Sequence, residues 1–521
     1  MTGLDPSGGL PEHACDVIAA MQQVLPPGVD CTAQDDALRK LQGLTAQLID
    51  CYRSAGKLAE DPFGDMRDRQ IPLHEAEVAS LITGRKILVT GGAGCVGRVL
   101  LRALERLHPA RLVCVDRAPG LGADFDPAIV HHRLDVRDSD GLRSVFERER
   151  PHVVFHLAAQ RDPGLAERLV HETLSTNILG CANVIEACEE HGVEVCVFSS
   201  TGKASRYLTL ETYAASKKFA EWQFQVAART GRTRYAAARF THVLDNSLVC
   251  SQLDAAIAGG VATGVHAPGR MIVAQNANEA THLLLNAAVF ASRGRLPVLV
   301  VRNLGWPVET LEIALYRLVR AGASIPVRFL GVPPGYAEDF FRGQTDWRFR
   351  MDLHTLLNVL ESPGRRFDSA GGMILTELEE LNPSTYRESM SVLKEAIRGA
   401  STPEPLLRAA VSLASMSICE AVLRDAPVPE LLNILHWGLG PRSAGPEALR
   451  YNFPPIVAHL VHALNGRLTA AGIQASVMRP GEFEELRGVL EKQGFVLRAA
   501  EPRRAPAGDS SLAAPPAARV A

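Results

Sequence analysis

The chain has 521 residues, 46% of them hydrophobic and 22% charged, with a formal charge of −3. That length exceeds one ordinary domain, and the composition excludes a disordered chain. The near-neutral balance gives no footing for nucleic acid or a charged membrane surface, and no unbroken apolar run reaches the roughly 18 to 20 residues that span a bilayer. The N-terminus lacks the basic-then-apolar layout of a signal peptide, so a cytoplasmic location is the expectation. Ten cysteines, none in a C-x-x-C pair, read as buried reduced thiols, and no metal site is expected.

Residues 1–84 read as a helical extension, with Leu38, Leu41, Leu44, Leu48 and Ile49 at helical spacing. From residue 85 the pattern changes. KILVT (86–90), RLVCVD (111–116), HVVFHLA (152–158), EVCVFSS (194–200), YAAARF (235–240) and PVLVVRN (297–303) are short apolar strands separated by helical stretches. Strands apolar on both faces and alternating with helices predict an α/β fold, a doubly wound parallel sheet with a small substrate lobe, over 85–345. Residues 346–500 read as a separate, mainly helical domain, and the Pro/Ala-rich 501–521 as a disordered tail. Within the helical part, Trp437, Arg442 and Tyr451 fall in a loop-like run that reads as packing or contact surface more readily than as a substrate contact.

Gly91, Gly94 and Gly97 follow the first strand and open a helix, the context that gives a glycine pattern its force. Gly91 permits the turn, Gly94 lets backbone approach a pyrophosphate, and Gly97 lets the helix lie close to the strand. Cys95 and Val96 complete this phosphate-facing turn at the helix N-terminus. Asp116 ends the second strand, 19 residues beyond Gly97, where a carboxylate binds a ribose 2′-hydroxyl. NAD is therefore the expected cofactor, and Arg117 next to it keeps NADP open. Asp135 and Val136 are expected beside adenine, at the end of the third strand. Ala158 and Ala159 leave room for the cofactor at the end of the fourth.

Tyr213 and Lys217 lie four apart, on one face of a helix. An ammonium there lowers the phenol pKa, so Tyr213 takes a hydroxyl proton while hydride leaves the carbinol carbon. Thr201, at a strand end, is placed to hold the same hydroxyl, with Ser200 as the alternative.

These runs resemble the extended short-chain dehydrogenases, and within them the polysaccharide-biosynthesis branch that includes the UDP-N-acetylglucosamine 4,6-dehydratases. The carrying stretches are the glycine loop, LDVRD, VFHLAAQRDP, STNILGCANVIEAC, SSTGKA, YAASKKFAEW and GRMIVAQNANEATHLLLNAA, over roughly 65–345. The resemblance implies a homodimer and a small-molecule sugar substrate, with Arg161, Asn177, Ser200, His242 and Arg270 on the substrate side. It also implies a Thr-Asp-Lys run that removes a proton beside the new ketone and expels the neighbouring hydroxyl. Here that run is Thr201-Gly202-Lys203, so the acid is missing and Lys203 is left as a base at an acidified C–H. The R-P-G-E-K that helps to hold a diphosphate is Pro333-Pro334-Gly335-Tyr336-Ala337, without its cations.

The expected activity is thus a sugar oxidoreductase or epimerase working through a transient keto intermediate on a nucleotide sugar or related glycoside. One alternative is a 4,6-dehydratase that recruits Asp162 or Glu211 as acid. Others are redox chemistry on a non-nucleotide aminocyclitol and, as a separate class, a non-enzymatic cofactor-binding scaffold. Retention of Thr201, Tyr213 and Lys217 argues against the scaffold.

Overall fold

The computed structural model describes residues 10–11, 13–29, 34–122, 125–246, 248–338, 340–349, 352–399, 401–439, 454–476, 478–479 and 481–500. The tail 501–521, Arg442 and Tyr451 lie outside the described residues. The central sheet has nine strands: β1 (Lys86–Thr90), β2 (Arg111–Asp116), β3 (Val130–Arg133), β4 (Val153–His156), β5 (Val195–Thr201), β6 (Arg234–Phe240), β7 (Pro297–Val301), β8 (Arg366–Phe367) and β9 (Met373–Glu377). Their spatial order is β8-β9-β7-β6-β5-β4-β1-β2-β3. The seven strands from β3 to β7 run parallel, and β9 pairs antiparallel with β7. Chain order reverses between β1 and β4, so a crevice opens at their carboxyl ends.

Alternate residues of each strand point to opposite faces, and both faces are covered. Ile87, Val89, Cys114, Val195 and Val197 meet Leu100, Leu104, Leu284 and Leu285 on one side. Leu88, Val113, Val115, Val154 and Phe198 meet Val184, Phe219 and Phe224 on the other.

That second face also takes Leu393, Ile397, Leu407, Val411 and Ile418. The helices Pro383–Arg398 and Glu404–Asp425 therefore complete the dinucleotide-fold core, and β8 and β9 extend its sheet. The sheet and its core run past the boundary expected at 345. A smaller core gathers Leu431, Leu435, Leu460, Leu464, Leu486 and Leu490 beyond them. Trp437 lies on the helix Val428–Leu439 and stacks on Trp347, ring centroids 5.2 Å apart, so it packs and does not sit in a loop.

Helix Glu404–Asp425 is long and apolar enough to cross a membrane by length and composition. Arg408 and Glu420 interrupt its apolar run, so it contains no unbroken apolar stretch of that length. One side of it is buried in the core just described, through Leu407, Val411, Ile418 and Val422.

The N-terminal helices Ala14–Val24 and Asp35–Ser54 pack on the substrate lobe. Met21, Leu41, Leu48 and Tyr52 share a core with Leu253, Leu311, Leu315 and Val327.

Candidate active site

The turn after β1 is pressed against the exit of β4. Gly91 has φ +74°, and a Cβ there would lie 2.6 Å from Ala158 N. A Cβ on Gly97 would come within 2.7 Å of Gly92 Cα, so the helix Cys95–Glu105 can approach only without one. At Gly94 the added atom would meet only Gly91 O, at 3.2 Å, which leaves that side open to a ligand. The first-turn N–H groups at Cys95 and Val96 have no intrahelical acceptor and suit a phosphate. Burial pushes the Cys95 thiol pKa up. Gly92 was not singled out from sequence, yet a Cβ there would lie 2.6 Å from Cys114 Sγ.

Asp116 closes this cradle. Its Oδ2 accepts the Ala93 N–H at 3.0 Å and its Oδ1 the Ala118 N–H at 2.9 Å, which fixes the carboxylate at the end of β2. Arg117 turns away from it, 2.9 Å from Glu172 and 3.7 Å from Asp135. Asp135 lies just past β3 and pairs with Arg137. Burial opposes its ionisation, but Arg137 and Arg117 hold its pKa below the usual range. Val136 is buried, and its carbonyl accepts from Asn183 at 2.9 Å. Ala158 and Ala159 are half-buried where β4 leaves the sheet, and Ala158 N–H donates to Thr90 Oγ1 at 3.3 Å. The open side at Gly94 and the anchored Asp116 fit a dinucleotide with an unmodified ribose.

The catalytic groups converge from β5 and the helix Thr212–Thr230. Tyr213 shares a hydrogen bond with Thr201, whose Oγ1 also accepts the Lys203 N–H at 3.4 Å. The expectation that Lys217 acidifies Tyr213 is not met. Burial raises the Tyr213 pKa, opposed by the Thr201 bond and by the charge of Arg161. Lys217 instead donates to Ser199 O at 2.5 Å and lies 4.2 Å from the Phe198 ring centroid. Its own pKa is pushed down to about 8 by burial. Ser200 is buried, and its Oγ has no hydrogen-bond partner among the described residues.

Asn177 was expected to touch substrate, but its amide is committed within the protein. It accepts from Gln160 N at 2.9 Å and donates to Gln160 O at 3.0 Å and Ser216 Oγ at 2.9 Å. It sits in a π-helical turn, Ser175–Leu179, and braces the segment after β4 against the Tyr213 helix.

Gly202 is buried because another residue fills its side-chain space: Leu356 Cδ2 would overlap an added Cβ, and Leu356 Cγ lies 3.2 Å from that point. Lys203 is not free to act as a base here. Its ammonium donates to Glu211 at 2.8 Å and Gly335 O at 2.6 Å, 5.2 Å from the Tyr336 ring centroid. Burial lowers its pKa, with Glu211 opposing. Neither candidate acid is available in this arrangement. Asp162 caps the turn Pro163–Ala166 through Leu165 N, at 3.1 Å. Burial alone would raise the Glu211 pKa, but Lys203 and Arg206 bring it below the usual value, so it is ionised.

On the substrate side, burial holds the His242 pKa down; the residue starts a two-residue strand paired with Ala274–Gln275. Arg161 is exposed and its charge reaches both Tyr213 and Cys95. Arg270 acts on His266, whose ring lies 5.1 Å from Tyr336. Tyr336 in turn accepts the Gly164 N–H and lies within electrostatic range of Tyr213. In the sequence Tyr336 stands out only as a departure from the R-P-G-E-K run. Glu338, which grips the loop before Tyr213, had no signal at all.

A family model described as "Polysaccharide biosynthesis protein" matches residues 87–339, which hold the glycine turn, Asp116, Thr201, Tyr213 and Tyr336. Residues 87–339 belong to that family, an extended short-chain dehydrogenase branch. Among relatives, a probable polysaccharide biosynthesis protein EpsC of Bacillus subtilis is 28% identical over 299 residues, 54% of this chain and 49% of the relative. An inverting UDP-N-acetylglucosamine 4,6-dehydratase of Campylobacter jejuni is 32% identical over 173 residues, 32% of this chain and 51% of its own. The chain spans about half the length of the curated relatives it matches. Among solved structures, Pen from Bacillus thuringiensis aligns with TM-score 0.49 and 21% identity, covering 57% of this chain and 87% of its own.

Proposed function

We propose that this chain is an NAD-dependent sugar oxidoreductase that works as an epimerase on a nucleotide sugar or related glycoside, through a transient ketone. The observation that carries the reading is the pairing of an intact Tyr213–Thr201 hydroxyl couple with a position 202 that carries no acid and whose side-chain space Leu356 fills. Thr201 holds the substrate hydroxyl and Tyr213 Oη receives its proton as the phenolate, a form that burial disfavours and that the charge of Arg161, and of an oxidised nicotinamide when bound, favours; Lys217, bound to the Ser199 carbonyl, fixes the floor of the site. Bound NAD supplies hydride acceptance from the carbinol carbon and hydride return. Tyr213 would then give the proton back, and hydride delivered to the other face of the ketone would invert the centre. Gly91, Gly94, Gly97 and Asp116 hold the cofactor, and Arg117, committed to Glu172, favours NAD over NADP. Arg270 and Arg161 are the cations assigned to the anionic half of the substrate.

A second reading, a 4,6-dehydratase, has the names of several relatives in its favour. It requires a proton donor for the leaving hydroxyl, and Glu211 and Asp162 are both engaged elsewhere. The two part on product analysis. Purified protein is heat-denatured to identify released dinucleotide, then incubated with UDP-N-acetylglucosamine and UDP-glucose. A product of unchanged mass with altered ring couplings in NMR is expected. A product lighter by one water establishes the dehydratase, and stoichiometric NADH establishes a dehydrogenase; either overturns the epimerase.

A further inference from the structure

The N-terminal helices lie outside the family-matched region, yet one of them reaches the substrate lobe's arginine turn. Tyr52, fully buried near the end of the helix Asp35–Ser54, donates its hydroxyl to Glu309 Oε2 at 2.6 Å. Glu309 is 2% exposed, and its other oxygen, Oε1, accepts the Gly269 N–H at 2.8 Å. Gly269 has φ +70° and immediately precedes Arg270. The Arg270 carbonyl accepts the Thr310 N–H at 2.9 Å, and Glu309 pairs across a short antiparallel ladder with Met271. The backbone around Arg270 is therefore held on one side by the strand and on the other by a buried carboxylate. Tyr52 is a side-chain donor to Oε2 of that carboxylate. Thr45 Oγ1, accepting Val327 N–H at 2.9 Å, seats the same helix on the lobe, and Lys57, just past the helix end, lies 2.9 Å from Glu312.

We propose that Tyr52 is a positioning residue for substrate binding: acting through Glu309, it sets the Gly269–Arg270 turn that presents Arg270 to the substrate's anionic group. A buried carboxylate oxygen that loses its donor seeks another or turns, and Gly269 loses its acceptor when it does. The N-terminal extension thereby becomes part of the substrate site. This rests on the reading of Arg270 as an anion contact.

Tyr52→Phe keeps the ring and removes only the hydroxyl. In ligand-free protein, hydrogen–deuterium exchange over 266–272 is expected to accelerate about tenfold, with strand 86–90 unchanged and the melting temperature lowered by no more than about 2–4 °C. Unchanged exchange at the turn, or uniform acceleration along the chain, overturns the proposal. Calorimetry with UDP then links the turn to Arg270. Tyr52→Phe and Arg270→Ala each weaken UDP, and the double variant binds no worse than Arg270→Ala alone. Multiplied effects in the double variant overturn the route through Arg270. If Arg270→Ala leaves UDP affinity intact, the assignment of Arg270 falls, while the exchange data still decide the role of Tyr52.

Discussion

The Leu356 side chain occupies the space that a side chain at residue 202 would need, and it arrives there from beyond the family-matched region. Leu356 is itself only 4% exposed, and its carbonyl is fixed by Arg239, which is wholly buried between Glu221 and Glu361. Its backbone is thereby held, so room at residue 202 has to come from its side chain. Gly202→Ala is expected to destabilise by about 1–3 kcal/mol through overpacking. Adding Leu356→Ala vacates the space, so the double variant should be less unstable than the two single losses combined. Denaturant midpoints of the four proteins check this, and additive losses would refute the interlock.

Tyr213 is the group on which the chemistry turns. Tyr213→Phe removes the proton acceptor without changing the ring that packs beside Thr201, so the fold and cofactor retention should survive. Turnover is expected to fall about 10²- to 10⁴-fold, the span typical of a lost general acid–base. The kcat of the variant and its dinucleotide content after purification test this together; turnover within twofold of the parent would sink the mechanism.

Arg117 decides the cofactor question by where it points. Its guanidinium bridges Glu172 and Asp135, and redirecting it to a 2′-phosphate would strand both carboxylates. Arg117→Ala should leave NAD affinity nearly unchanged and NADP the weaker ligand, as in the parent. Titration calorimetry with both dinucleotides measures it, and selective loss of NADP binding would make Arg117 a phosphate ligand.

The strands β1, β2, β4, β5, β6 and β7 were legible because both faces of the sheet are covered there, which leaves short, nearly continuous apolar runs between helices, whereas β3, the part-exposed Val130–Arg133, shows no such run. The glycine turn, Asp116, Tyr213 and Thr201 were readable for a related reason: their chemistry depends on local spacing. What escaped were partners far apart along the chain. Glu338 meets Leu210 across 128 residues, and nothing near either residue announces the bond. Asn177 was misassigned because only the fold shows its amide committed to Gln160 and Ser216. The boundary near 345 failed since β8 has two residues and β9 five, too short to show an alternation amid helices.

His354 makes the segment around Leu356 sensitive to acid. Its Nε2–H donates to Val301 O at 2.6 Å, and its Nδ1 accepts the Leu356 N–H at 3.3 Å, so the ring is neutral. Burial pushes its pKa down to about 4 from an ordinary 6.5. The unfolded chain therefore takes up the proton first, and the stability contribution is complete above 6.5 and lost as pH falls towards 4. His156, pushed down to about 3 by burial, works in the same direction. His354→Gln keeps a donor for Val301 but does not titrate. Melting temperatures between about pH 7 and about pH 4.5 should fall less steeply in this variant than in the parent. Parallel curves would show that His354 does not contribute.

Glu338 ties the substrate lobe to the start of the catalytic helix. Its Oε1 accepts the Leu210 and Glu211 N–H groups at 2.7 and 3.1 Å, and its Oε2 accepts Thr209 Oγ1 at 2.7 Å and pairs with Arg206. Glu211 answers by accepting the Glu338 N–H at 3.0 Å while holding Lys203. This reciprocal clasp ends two residues before Tyr213, so the segment around Glu338 and the Tyr213 phenol cannot move independently. Glu338→Gln keeps the shape but loses the charge and one acceptor, and a charged hydrogen bond of this kind contributes about 1.5–3 kcal/mol. The expected result is a kcat lowered about tenfold, since a small misplacement of a catalytic group is enough for such a loss. Exchange over 206–212 should rise at the same time. If exchange rises and kcat does not move, the clasp orders the loop but does not position Tyr213, and the coupling between lobe and phenol is wrong.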